Sequence, residues 1–158
     1  MKKFILILSI IIFSGCVQDR SFGIFTKDII YQRAIKNTQK GDIINSQETK
    51  AILIASYLNP IYSEFKDKEY FYIGIYINDE LSNENSTLED INYTLTLNNL
   101  KPISIKETQK NDKFKKELAF INSWFKYYIV EFDKSKDKDL NLTFNYHKFG
   151  ITKLKFIK

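Results

Sequence analysis

The chain has one cysteine and one histidine among its 158 residues, and this scarcity excludes several kinds of site. Cys16 has no partner for an internal disulfide, so packing alone must hold the fold together. Structural zinc requires three or four His, Cys or acidic ligands at set spacings, which this sequence does not supply. His147 lies beside Lys148 at a predicted turn, where an exposed residue is a better interpretation than a catalytic base. We therefore predict no catalytic residue, no metal site and no cofactor.

Glycine and proline are sparse as well, at five and two residues. Gly74 and Gly150 each stand alone, so no glycine-rich phosphate-binding loop is predicted. No Pro/Gly-rich linker or internal repeat divides the chain, which favours one folded domain. The acidic segment 79–90 carries carboxylate and amide oxygens, but it lacks the ordered spacing and the central glycine of a calcium loop. We predict a solvated hairpin loop there.

The charges are close to balanced once the N-terminal segment is set aside. The full chain has 24 Lys and Arg against 19 Asp and Glu, and two of the lysines precede residue 16, which leaves a formal net charge of +3. Residues 133–139 interleave lysines with aspartates, which is typical of a solvated loop. Nucleic-acid binding requires clustered basic residues with aromatics free to stack, so it is not predicted.

The N-terminus contains the best-defined signal in the chain. A positive pair at residues 2–3 is followed by an apolar run at residues 4–13, which only Ser9 interrupts. A helix that spans a bilayer needs about 20 apolar residues, so this run is too short and is typical of a secretory signal peptide. Two small residues, Ser14 and Gly15, then lead directly to Cys16.

The segment Phe13-Ser14-Gly15-Cys16 resembles the lipobox of bacterial lipoproteins, in which an aliphatic residue and two small residues precede the cysteine. Phe13 stands where leucine is usual. The resemblance implies that the Cys16 sulfur carries a diacylglyceryl group, and that Cys16 becomes an acylated N-terminus bearing chains such as palmitate. Two or three acyl chains hold a protein on a membrane far better than one. An ordinary secreted protein with an incidental cysteine is the alternative.

The resemblance also implies a location in the cell envelope. Val17 and Gln18 follow Cys16, and the absence of aspartate there favours the outer membrane if the cell has one. We expect residues 1–15 to be a signal peptide and residues 16–25 a lipidated tether that reaches at most about 30 Å. Residues 26–158 then form one domain on the periplasmic or surface face of the membrane.

The domain begins with a predicted helix and continues as strands. Thr26 is the predicted N-cap of a helix that runs to about Lys40, with Gly41 as its C-terminal stop. After residue 46 the apolar residues alternate, which predicts about seven short strands joined by polar loops. The pattern predicts a mainly β fold, an antiparallel two-sheet sandwich of broadly immunoglobulin-like architecture with one N-terminal α-helix. A single antiparallel sheet packed on the helix is the runner-up.

Three segments predict which faces are buried. Residues 49–58 are apolar on both faces, as expected of a strand covered on both sides. Alternation over residues 91–98 predicts an inward-facing set, which consists of Ile91, Tyr93, Leu95 and Leu97. A long strand is predicted from about Ile121 to Asp133, and one of its faces carries Trp124, Tyr128, Val130 and Phe132.

Residues 69–78 carry the most informative pattern. Alternate residues are phenylalanine or isoleucine and are predicted to face the core, whereas the other face is a tyrosine stripe of Tyr70, Tyr72 and Tyr76 around Gly74. Exposed tyrosines would offer an amphipathic surface to a protein or a glycan. Alternatively, the helix or the margin of the second sheet covers them, which is favoured because large exposed aromatic patches are uncommon on monomers.

These observations favour a non-catalytic binding or assembly module, anchored to the membrane through lipid on Cys16 and partnered by an envelope protein or glycan. A sandwich offers two ends of loops and an edge strand to which a partner can add a strand. The alternatives are a hydrolase that acts on envelope polymers and a purely structural spacer. An acidic pair in a deep cleft would favour the hydrolase, whereas a flat aromatic patch would favour binding.

We predict that Cys16→Ala leaves an unlipidated precursor and releases the domain from membranes, because the acyl chains provide the anchor. The measurement is metabolic labelling with a palmitate analogue followed by membrane fractionation. A Cys16→Ala protein that is still labelled would contradict the lipobox interpretation.

Overall fold

The structure is a computed structural model, and it describes residues 29–78, 87–108, 112–118 and 122–158, without the side chain of Lys116. Its elements, in chain order, are α1 (residues 29–36), β1 (Thr38–Asn45), β2 (Glu48–Tyr57), β3 (Glu69–Ile77), β4 (Tyr93–Leu97), β5 (Ser104–Glu107), α2 (Lys113–Glu117), β6 (Lys126–Phe132), β7 (Asp139–Tyr146) and β8 (Gly150–Ile157).

The strands form two antiparallel sheets. The large sheet has five strands in the order β1-β2-β3-β6-β5, and the small sheet has three in the order β4-β7-β8. Within each sheet, all of the neighbouring strands pair in antiparallel orientation. The prediction of a mainly β protein with two antiparallel sheets and a short helix is confirmed, and the runner-up with a single sheet is wrong.

One hydrophobic core lies between the two sheets. Phe71 and Ile73 on β3 are fully buried, and they share a cluster with Leu142 and Phe144 on β7. The predicted inward face of β3 is therefore confirmed. In β4 the predicted inward residues are also buried, but Ile91, predicted to join them, is 88% exposed. The chain turns there because the Asn92 backbone N–H donates to Asp90 Oδ1 at 3.0 Å, and the strand begins only at Tyr93.

A second hydrophobic cluster covers the opposite face of the large sheet. This outer cluster consists of Ala34, Leu58, Ile61, Tyr62, Tyr72, Phe114, Leu118 and Tyr127. Asp112 caps α2 by accepting a hydrogen bond from the Phe114 N–H at 3.0 Å, and Phe114 then points into the cluster. The inner face of β2 is buried from Ala51 onward, whereas its outer face is buried at Ser56 and only half-buried at Ile52 and Ile54. The prediction of a strand covered on both sides therefore holds only for part of β2. The helix α2 was not predicted, because residues 106–117 are mostly charged or polar and show no apolar period.

The N-terminal helix ends earlier than its pattern predicts. Residue 36 is the last helical residue, and Thr38, predicted to be helical, begins β1, where its hydroxyl lies 2.6 Å from Ser56 Oγ of β2. Gly41 is not a helix stop. It lies where β1 crosses close to β8, and a Cβ atom at Gly41 would lie 2.2 Å from Thr152 Oγ1. The prediction is wrong because this contact with a distant strand outweighs local helical periodicity.

A buried carboxylate holds one end of the two sheets together. Glu69, the first residue of β3, has no exposed surface. Its carboxylate accepts hydrogen bonds from Tyr57 Oη at 2.6 Å and from the Ser135 N–H at 3.1 Å, and forms an ion pair with Lys158 at 2.6 Å. These contacts join the large sheet to the loop before β7 and to the residue after β8.

The partners of Glu69 favour the ionised form of its carboxyl group. Burial acts to raise the pKa of this carboxyl, but hydrogen bonds from Lys158 and Tyr57, together with the positive charges of Lys158 and Lys134, outweigh burial and hold the pKa below its ordinary value. A carboxyl whose pKa is lower in the folded state stabilises the fold above its unfolded pKa of about 4.3. That stabilisation is lost as the pH falls through the folded pKa.

We predict that Glu69→Gln lowers the free energy of unfolding at neutral pH by about 2 kcal/mol, because it removes charge-assisted hydrogen bonds from a buried site. The loss of stability between pH 7 and pH 3 should also be shallower than in the wild type, since one titrating carboxylate is gone. Urea unfolding across this pH range is the measurement.

The matched control is Glu48→Gln, whose carboxylate forms an exposed ion pair with Lys50. Exposed pairs contribute little to stability, so this variant should unfold like the wild type. If Glu69→Gln were as stable as Glu48→Gln at every pH, the role assigned to Glu69 would be wrong.

Candidate functional site

The three tyrosines of the predicted stripe lie in different surroundings. Tyr72 is buried in the outer cluster, where its ring stacks on Tyr127 with centroids 5.5 Å apart and contacts Phe114 at 5.4 Å. Tyr72 is therefore not part of an exposed surface. Tyr70 is half-buried, with its ring 4.7 Å from Phe65. Tyr76 is half-buried near the other end of β3, about 20 Å from Tyr70 at the usual rise of a strand.

Tyr76 lines a groove whose other members come from β2 and from the segment before β6. This aromatic groove has a volume of about 350 Å³ and is lined by Ile52, Tyr76, Asn122, Trp124 and Phe125. Ile52 and Tyr76 are direct cross-strand partners, and the rings of Tyr76 and Phe125 lie 6.1 Å apart. The side chain of Trp124 is 75% exposed.

A glycine makes room for the aromatic side chains beside the groove. Gly74 faces outward on β3 between Tyr72 and Tyr76, and a Cβ atom there would lie 2.7 Å from Cε1 of Tyr127 and 3.3 Å from Cδ1 of Phe125. The two aromatic rings can lie across β3 only because Gly74 has no side chain. The glycine that interrupts the tyrosine stripe therefore makes room for the rings of Tyr127 and Phe125.

Trp124 is exposed because it precedes the strand in which it was predicted to share a face with Tyr128. That strand, β6, begins at Lys126, and Trp124 lies in a turn in which its backbone N–H donates to Asn122 Oδ1 at 3.1 Å. The Tyr127 hydroxyl holds the turn, since it accepts from the Asn122 N–H at 2.6 Å and donates to the Asn122 carbonyl at 3.2 Å. Burial raises the pKa of the Tyr127 hydroxyl. The dipeptide Asn122-Ser123 is the turn signal in the sequence that indicates a strand start later than Ile121.

A second groove, of different chemistry, lies on the small sheet. This polar groove has a volume of about 790 Å³ and is lined by Asn98, Asn99, Asp137, Lys138, Asp139, Asn141, Thr143, Lys153 and Lys155. Its two carboxylates, on Asp137 and Asp139, are both exposed. The loop of residues 133–139, predicted to be solvated, forms one wall.

The remaining predicted residues are placed as follows. Cys16 and residues 79–86 of the acidic segment lie outside the described residues. Nε2 of His147 lies 2.7 Å from Thr94 Oγ1 at the surface of the small sheet. In the part of the chain that the structure describes, no group of three or more His, Cys, Asp or Glu side chains is placed to hold a metal ion. No helix among these residues is long and apolar enough to cross a membrane.

The fold and the two grooves define a mainly β protein with two antiparallel sheets that presents one aromatic and one polar recessed surface. No family model matches the chain, and neither the curated proteins nor the solved structures contain a match to it.

We predict that the fluorescence of Trp124, the only tryptophan, has an emission maximum close to that of tryptophan in water, because three quarters of its surface is exposed. Acrylamide should quench this emission efficiently. Urea unfolding should change the wavelength little while circular dichroism reports the loss of strands. A blue-shifted maximum that moves to the red on unfolding would contradict the exposed placement.

Proposed function

We propose that this chain is a membrane-anchored lipoprotein of the cell envelope, with an immunoglobulin-like sandwich that binds another envelope protein through the aromatic groove. The anchor rests on the lipobox resemblance at Cys16. The sandwich architecture is supported by two antiparallel sheets around one core, although the immunoglobulin pattern of Cys, Trp and Cys is absent. Binding rests on the single observation of an exposed tryptophan beside a half-buried aromatic groove.

A partner that covers the exposed surface of Trp124 would gain binding free energy from burying it. A tryptophan buries roughly 150 to 250 Å² when it is covered, and apolar burial stabilises by about 25 cal/mol per Å². Covering the exposed three quarters of Trp124 would therefore contribute about 3 kcal/mol. Tryptophan and tyrosine are also enriched among the residues that dominate the energy of protein interfaces.

The lining of the groove favours a protein partner over a glycan. A sugar ring needs several hydrogen bonds to its hydroxyl groups, but the lining is mainly aliphatic and aromatic, with Asn122 as its one amide side chain. The Asn122 side chain already accepts the N–H of Trp124. One apolar side chain of a partner, seated between Trp124 and Tyr76, fits this chemistry better.

The tether restricts where the partner is found. Residues 16–25 span at most about 30 Å when fully extended, so a domain held by lipid on Cys16 stays close to the membrane. By resemblance to lipoproteins, the residues after Cys16 favour the outer membrane where the cell has one. The partner is then an envelope protein in the same layer, and the module acts in binding or assembly.

The geometry gives less support to a hydrolase of envelope polymers. Paired carboxylates in a glycosidase work because one of them is kept protonated by burial. Asp137 and Asp139 in the polar groove are both exposed, and the buried Glu69 is occupied by its structural partners. A purely structural spacer would not account for the aromatic groove.

We predict that a photo-crosslinking amino acid in place of Ile52 captures a defined protein in the cells that make this chain, because position 52 lines the groove while Trp124 stays intact. Adding Trp124→Ala should reduce the crosslinked product at least tenfold, since about 1.4 kcal/mol of lost binding energy corresponds to a factor of ten. Gel mobility and mass spectrometry of the product are the measurement.

The matched control carries the crosslinker in place of Ile157, which is 72% exposed on the small sheet and does not line the groove. This position should not capture the same protein. Equal capture from both positions, or a product that survives Trp124→Ala, would refute the site. A product that glycosidases digest and proteases leave intact would show that the partner is a glycan.

A further inference from the structure

The floor of the polar groove is the outward face of the small sheet. Thr143 on β7 is the direct partner of Lys153 on β8, and Asn141 is the partner of Lys155. Paired residues of neighbouring strands project to the same side of a sheet, and Lys153 and Lys155 lie about 7 Å apart along β8. The floor therefore presents a hydroxyl, an amide and two ammonium groups in two adjacent rows.

One asparagine holds the wall of the groove in place. Asn98, in the left-handed region with φ of 47°, donates from its side-chain amide to Asp137 Oδ2 at 3.0 Å and to the Asp139 carbonyl at 3.1 Å. Its Oδ1 accepts from the Asn141 N–H at 2.8 Å. Asparagine tolerates this backbone conformation better than most residues. The wall and the floor are thus connected before any ligand arrives.

The charges in the groove are unequally engaged. Asp137 already accepts from Asn98 and from Ser135 Oγ. In contrast, neither Lys153 nor Lys155 forms an ion pair with any described residue. Lys138 in the wall forms no ion pair with a described residue either. The groove therefore sets three ammonium groups against the two carboxylates of Asp137 and Asp139, next to amide and hydroxyl groups suited to hydrogen bonding.

From this arrangement we propose that the polar groove binds an acidic oligosaccharide, whose carboxylates pair with Lys153 and Lys155 and whose hydroxyls bond to Asn141 and Thr143. The groove volume of about 790 Å³ lies within the range of ligand sites, roughly 300 to 1,000 Å³. A flat lipid surface does not reach the floor of a recessed groove. Single-stranded nucleic acid stacks on aromatic side chains, and the lining contains none.

This site is separate from the aromatic groove, which lies on the large sheet, so an oligosaccharide could bind here whether or not a protein partner occupies the aromatic groove. The test is titration of the full chain with trigalacturonate, followed by calorimetry, with maltotriose as the neutral sugar of equal length. Trigalacturonate should bind, with an affinity that falls as salt is added, because charge pairs at a surface are screened. Maltotriose should bind at least tenfold more weakly.

The decisive variant is K153Q/K155Q, and its matched control is K36Q/K66Q, which removes the same charge from two exposed lysines outside the groove. The groove variant should bind trigalacturonate at least tenfold more weakly, and the control should stay within about twofold. Thr143→Val should weaken binding without changing its salt dependence, since it removes a hydroxyl and no charge. Thermal unfolding shows whether each variant keeps the fold.

Several results would overturn the proposal. No binding of trigalacturonate to the wild type would do so, as would equal weakening in K153Q/K155Q and K36Q/K66Q, which would indicate attraction by overall charge. Inorganic phosphate or phosphatidylglycerol vesicles that compete for the groove as well as trigalacturonate does would show a simple anion site. Trp124→Ala should leave trigalacturonate binding unchanged. Loss of trigalacturonate binding in this variant would show that the ligand does not bind in the polar groove alone.

Discussion

The large sheet has two apolar faces, and the need to cover both of them shapes the rest of the molecule. The small sheet covers the inner face and forms the common core. On the outer face, α1, α2 and the chain after β2 bury the central region around Tyr72. This cover stops short of Ile52 and Tyr76, which stay half-buried beside Trp124. The aromatic groove is thus the open margin of a face that is otherwise buried, which is why its lining is apolar.

The two grooves have different chemistry because the two sheets are covered differently. The recess on the small sheet is polar because its floor carries threonine, asparagine and lysine side chains, and no helix among the described residues packs over them. Two hydrogen bonds fix the loop that lines this recess. Glu69 accepts from the Ser135 N–H, and the Asn98 side-chain amide donates to Asp137. The Glu69 carboxylate therefore contributes both to stability and to the shape of the polar groove. The molecule combines one surface suited to a protein side chain with another suited to a charged, hydroxylated ligand.

Much of the fold was predictable because strand alternation is a local property. The inward face of β3 and the buried residues of β4 both follow from which side of a pleated strand carries the apolar residues. The predictions were wrong where a helix or strand begins or ends and where two distant strands lie close together. The crossing of β1 and β8 at Gly41 and the turn that exposes Trp124 depend on residues far apart in the chain or on side-chain hydrogen bonds. Of the candidate site, Tyr76 was predictable, and its partners on β2 and before β6 were not.

The amino-acid sequence alone determined the scarcity of metal-binding and redox side chains, the resemblance to a lipoprotein signal, and the mainly β character with its alternating faces. These properties depend on composition and on neighbours one or two positions apart. Only the tertiary structure decided that Tyr72 is buried while Trp124 is exposed, and that two lysines lie beside an amide and a hydroxyl in one recess. The physical reason is that burial and proximity depend on which strands pair and on what packs over them, and a one-dimensional pattern does not specify those partners.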